Sequence, residues 1–205
     1  MALSVDHIDP ATLYFTDKWI LYANLQAGSV NYINSYVEVA TIHTIADFWQ
    51  VMNNVPYDKL HSDIIQSSGK RIIAFSLFKE GILPEWEDPV NHKGCEWGFR
   101  DDISNEMFCD MWLCLTLAAV NSEIDDVAGV RCVNKCNRLR PLYKIEVWLT
   151  TADYDKVYDI KNSIDRVLNT EYVFTLMFHE DKQQQAFEFR KKTRRHAKMK
   201  HSLIM

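Results

Sequence analysis

Short runs of β-branched and aromatic residues recur along this chain with only three helix-period segments between them, and that order leaves few folds open. Strands are predicted at 19–25 and 32–41 about a Gly28-Ser29 turn, and then at 71–78, 96–99, 127–133, 142–150 and 172–178. The first helix is predicted over 45–54: Thr44 offers a cap with Asp47 three residues on, and Ile45, Phe48, Trp49 and Met52 recur at helical spacing. A second, 105–120, places Phe108, Met111, Trp112, Leu115 and Ala119 on one face, and a third carries Val157, Ile160, Ile164, Val167 and Leu168. Residues 55–70 read as irregular and 81–91 as a loop with two prolines. The expectation is an α+β fold in which three helices pack on one face of a single antiparallel sheet. Residues 1–17 read as an arm, 18–180 as one compact body and 181–205 as a basic tail.

At 205 residues the chain can bury a sizeable core, and no apolar run approaches the roughly 20 residues of a membrane span. Nothing in the first 20 residues reads as a secretory signal, so a cytoplasmic location is expected. The five cysteines cannot all pair; reduced core thiols are the expectation, and Cys132 and Cys136 lack the second close pair that zinc needs. Residues 190–200 hold seven Lys and Arg and no acid, whereas the remaining 16 basic and 28 acidic residues give −12. So acidic a body makes a poor general nucleic-acid binder, and any contact with nucleic acid has to be local. The tail reads as a solvated segment, a contact for RNA phosphates or a nuclear targeting signal.

Six tryptophans are scattered along the chain. Trp97 and Trp112 fit apolar patterns and belong in a core. Trp86 lies between Pro84 and Pro89 beside Glu85, Glu87 and Asp88, where an indole is easier to present to a ligand than to bury. A Trp followed by Glu suits N7-methylated guanine. The base is cationic and gains from an aromatic face, while the carboxylate accepts two parallel hydrogen bonds from N1–H and the exocyclic amine. The basic run Lys135, Arg138 and Arg140 could meet phosphates or be a solvated turn.

Ser76-Leu77-Phe78-Lys79-Glu80-Gly81-Ile82, Pro84-Glu85-Trp86-Glu87-Asp88, Asn91 and residues 94–97 resemble the central block of the translation initiation factor 4E family. Thr44-Ile45 with Asp47-Phe48-Trp49 resembles its first-helix motif, Trp112-Leu113 its second helix, and 126–129 and 145–148 with Thr150 its later strands. Order and spacing agree over residues 18–150. The resemblance implies a curved sheet with helices on the convex back and the 7-methylguanosine cap of mRNA in a concave slot. Trp86 would be one stacking ring and Tyr32 the other, with Tyr22 and Tyr36 as alternatives. Glu87 would read the guanine edge and Trp148 would pack on the N7-methyl group. Lys135, then Arg138 and Arg140, with Lys144 a further candidate, would hold the triphosphate. Ile45, Trp49, Leu113 and Leu117 would receive a Tyr-x-x-x-x-Leu-apolar helix from an initiation scaffold or a repressor, the chain acting as a monomer within that complex. Cys114 stands where the family has an acid, which leaves an initiation factor and a cap-binding repressor or storage factor both open. No metal, cofactor or catalytic residue is expected. A cap-nucleotide hydrolase would need carboxylates beside the phosphates, and none lies between Lys135 and Arg140.

Overall fold

The computed structural model describes residues 9, 12–26, 36–62, 64–65, 69–135, 142–169 and 172–181. In chain order the elements are β1 (Tyr14–Leu25), β2 (Tyr36–Thr44), α1 (Ile45–Asn54), β3 (Ile72–Lys79), α2 (Pro89–His92), β4 (Cys95–Asp101), α3 (Asn105–Val120), β5 (Val127–Asn134), β6 (Tyr143–Leu149), α4 (Tyr154–Leu168) and β7 (Thr175–Phe178). The strands form one curved sheet in the order β2-β1-β3-β5-β6-β4-β7, every neighbouring pair antiparallel.

Strand alternation sorts the sheet into two faces. Trp19, Leu21, Phe75, Leu77, Trp97, Phe99, Val130, Cys132, Ile145 and Val147 meet the helices in the main core. The other face carries a smaller apolar cluster of Ile20, Tyr22, Phe78, Ala128 and Trp148, against which Tyr36, Leu83 and Trp86 pack. Trp97 and Trp112 are indeed core residues, 4% and 1% exposed, and the Trp97 indole ties the sheet to α4 by donating to the Val157 carbonyl at 3.0 Å. The predicted capping box is present: the Thr44 hydroxyl accepts from the Asp47 N–H at 3.0 Å, and the Asp47 carboxylate accepts from the Thr44 N–H at 2.9 Å.

Three local readings change. β1 begins at Tyr14, inside the segment read as an arm, because Phe15 is buried against Phe48 and Tyr14 pairs with Thr44; a register shift before Trp19 blurs the alternation that would announce it. The proline loop contains α2, started by the Asp88 carboxylate accepting from the Val90 N–H with Pro89 at the first helical position. Beyond its expected face, α3 also buries Thr116, Ala118 and Val120, because it is packed between the sheet and α4. Cys95 and Cys132 are buried free thiols, and burial pushes the Cys95 thiol up to about 12, while Cys136 lies outside the described residues. No helix among the described residues is long and apolar enough to cross a membrane.

Candidate functional site

The concave face is laid out by register. One cross-strand row runs Ile20, Phe78, Gly129, Trp148, Glu96, and the next runs Tyr22, Ser76, Arg131, Glu146, Gly98. Trp148 sits at the centre. Phe78 meets it edge-on at 5.4 Å, His179 approaches to 4.5 Å, and the Arg131 guanidinium lies 5.4 Å from its ring centroid. Trp86 lies over Trp148 with centroids 6.4 Å apart and planes within 15°. The half-buried Trp86 is thus attached to the cluster, yet it belongs to a loop at the rim.

That loop is pinned at its backbone. The Asp88 carboxylate accepts from the Leu83 N–H at 3.0 Å, and the fully buried Asn91 amide donates to the carbonyls of Leu83 and Glu85 at 2.7 and 2.9 Å. His179 donates from Nδ1 to the Asn91 carbonyl at 2.7 Å, joining the loop to the end of the sheet. Glu85 and Glu87 flank Trp86 in the chain, and Asp88 follows. Burial first, and then the charges of Glu87 and Asp88, raise the Glu85 carboxyl above its ordinary value. The Tyr36 phenol is raised as well, by burial and then by Glu85 and Asp88, which puts it within electrostatic reach of the same rim.

Beyond Trp148 lie cations, and here they are paired with carboxylates. The Glu146 carboxylate accepts from the Trp148 indole N–H at 3.2 Å, from Arg131 Nη1 at 3.0 Å and from Lys144 Nζ, and Lys144 also donates to Glu96 at 3.1 Å. Arg131 Nε donates to the Ser76 hydroxyl at 3.1 Å, which in turn donates to Asn24 at 2.6 Å. Lys135, exposed just beyond β5, lies within electrostatic reach of this group. Its ammonium is pulled below the usual lysine value, first by desolvation and then by Lys144, Arg131 and Arg100, with Glu146 opposing them. A flat, electron-poor ring suits the acidic aromatic rim, and an anion suits the cationic side.

The sequence model of the family "Eukaryotic initiation factor 4E" matches residues 14–196. The chain belongs to the eukaryotic initiation factor 4E family. Among relatives of this 4E-family chain, translation initiation factor 4E of Dictyostelium discoideum is 29% identical over 170 residues, which is 80% of this chain and 64% of that protein. The factor of Candida albicans is 29% identical over 173 residues, covering 80% and 78%. The fold is similar to that of C. elegans eIF4E-3 in complex with the 4E-binding protein Mextli and cap analog, with a TM-score of 0.67, 23% identity and coverage of 84% and 95%. It is also similar to schistosome eIF4E complexed with m7GpppG and 4E-BP, at 0.66, 24%, 80% and 87%.

Of the site residues expected in this 4E-family chain, Trp86 and Trp148 come together on the concave side, Glu87 is exposed beside Trp86, and Lys135 is exposed just beyond β5 within electrostatic reach of Arg131, Lys144 and Glu146. Tyr32, Arg138 and Arg140 lie outside the described residues. Tyr22 is buried beneath Tyr36, ring to ring at 5.5 Å, and so has no free face to offer. On the opposite face Trp49 is 40% exposed and Ile45, Leu113 and Leu117 are half-buried at the margin of the main core. Sequence reasoning missed Arg131, Glu146, Glu96 and His179. Alternation in β6 puts Glu146 on the side of Trp148, but only the register of β4 and β5 against β6 brings Glu96 and Arg131 to the same side.

Proposed function

We propose that this protein binds the 7-methylguanosine 5′ cap of mRNA, without catalysis, and brings capped messages to translation initiation in the cytoplasm. The observation that carries this reading is the aromatic pair Trp86 and Trp148 on the concave side, with acids flanking Trp86 in the chain and the Arg131 guanidinium over the Trp148 ring. The cationic methylated base lies on Trp86, Glu87 accepts from the guanine edge, and Tyr32 supplies the opposing ring, with Tyr36 as the described alternative. Because Trp148 is 1% exposed beneath Trp86, its contact with the N7-methyl group requires the Trp86 indole to swing off its face. Lys135, Arg138 and Arg140 hold the triphosphate. The solved relatives with cap analog and with m7GpppG support the assignment. A titration of tryptophan fluorescence tests it: quenching is expected with 7-methyl-GTP and at least about tenfold weaker with GTP, as expected from loss of the cation–π term. Equal responses would overturn it.

Lys135→Ala weakens 7-methyl-GTP by about tenfold, the scale of one charge-assisted contact, and 7-methylguanosine hardly at all. Paired titrations of the two ligands check this, and equal weakening would remove Lys135 from the phosphate site. Desolvation, and then the neighbouring Lys144, Arg131 and Arg100, hold the Lys135 ammonium below an ordinary lysine, so its contribution depends on pH. It fades as pH rises, sooner than that of a solvated lysine.

On the convex face, Ile45, Trp49, Leu113 and Leu117 take an amphipathic helix of the Tyr-x-x-x-x-Leu-apolar type from a scaffold or repressor. Trp49→Ala weakens such a peptide by about thirtyfold, as an exposed aromatic anchor does, with thermal unfolding unchanged. The exposed Cys114 on α3 favours the narrower second reading of a cap-binding repressor or storage factor. No binding of a scaffold-derived peptide to the wild type, with a repressor peptide still bound, would select it.

A further inference from the structure

The concave face holds two carboxylates that neither base recognition nor phosphate binding calls for. Glu96 is fully buried and Glu146 is 5% exposed. A carboxylate so far from water needs cations and donors around it, and here the donors are the groups that face the phosphate side of the pocket. Oε2 of Glu146 takes Arg131 and the Trp148 indole, and Oε1 takes Lys144. Lys144 reaches this position by lying across Gly98, where a Cβ would stand 3.4 Å from its Cε and 3.8 Å from its Nζ, and from there it also bonds Glu96.

The consequence is electrostatic. Arg131 and Lys144 are oriented towards the site, and their side chains keep 17% and 18% of their surface open to solvent. Their charge is matched one for one by Glu146 and Glu96 before any ligand arrives. A polyphosphate entering beside Lys135 has to compete with Glu146 for the same two cations and meets the repulsion of its carboxylate. The base, lying over the aromatic rim, pays no such penalty.

We propose that Glu146 is a specificity-determining residue that restrains Arg131 and Lys144, so that this pocket weights the methylated base over the phosphate chain. The anion half of the proposal stands on the charge cluster alone; the base half rests on the cap-binding reading.

The variant that tests it is Glu146→Gln, whose amide oxygen still accepts from Trp148 or Arg131 while the charge is gone. Inorganic tripolyphosphate, 7-methylguanosine and 7-methyl-GTP are each titrated into wild type and variant by calorimetry. Expected is a rise of about tenfold in tripolyphosphate affinity and a similar rise in the ratio of 7-methyl-GTP to 7-methylguanosine affinity, the scale of removing one charge from a partly screened pocket. No gain for either phosphate ligand, or an equal gain for the bare nucleoside, overturns the proposal. Arg131→Gln, which leaves Glu146 paired with Lys144, provides the opposite sign: tripolyphosphate affinity falls, and an unchanged value overturns the proposal even where Glu146→Gln does not fold. Tripolyphosphate behaving as expected while neither protein takes up 7-methylguanosine would sink the cap reading and leave the restraint in place.

Discussion

Trp86→Ala removes retention on a 7-methylguanosine resin, weakening the interaction by about a hundredfold while circular dichroism and thermal unfolding stay near wild type. Stacking on an aromatic side chain contributes about 1–3 kcal/mol per base, and a cationic ring adds to it; about 3 kcal/mol in total is the stated hundredfold. The fold tolerates the change because the indole lies outside the main core and its loop is held by Asp88 and Asn91 through backbone groups that the substitution leaves in place. Undiminished retention would show that the base lies elsewhere.

Gly129→Ala is expected to cost about 3 kcal/mol of stability, at the upper end of what overpacking brings. A Cβ there would stand 2.4 Å from two ring carbons of Phe78 and 2.6 Å from a third. Phe78 is fully buried and meets Trp148 edge-on, so the ring has nowhere to withdraw without disturbing the wall beneath Trp86. Glycine inside a strand marks such a close approach. Denaturant unfolding measures the loss, and tryptophan fluorescence registers the shifted indole. A variant within about 0.5 kcal/mol of wild type, the ordinary range of a surface change, would mean that Phe78 yields freely.

Much of this architecture was legible in the sequence because period and punctuation act locally. The Thr44 and Asp47 capping box, the apolar spacing of α3 and α4 and the β-branched and aromatic runs of β3, β5 and β6 each depend on neighbours a few residues away. The start of β1 was not legible, since Tyr14 finds its partner Thr44 thirty residues on and across a register shift. The Trp86-Glu87 pair could be singled out from its polar surroundings. The charge cluster could not: Glu96, Glu146 and Arg131 look like the solvent-facing half of three amphipathic strands. Only the juxtaposition of β5, β6 and β4, from distant parts of the chain, turns them into a buried network around Trp148.

Asn91 has a kinetic meaning as well. By stitching Leu83 and Glu85 in place and being gripped in turn by His179, it leaves the stretch bearing Trp86 preorganised, so docking there requires no more than rotation about two side-chain torsions. Little ordering entropy is then charged to the encounter on this side of the clasp, and the on-rate should approach that of a rigid receptor.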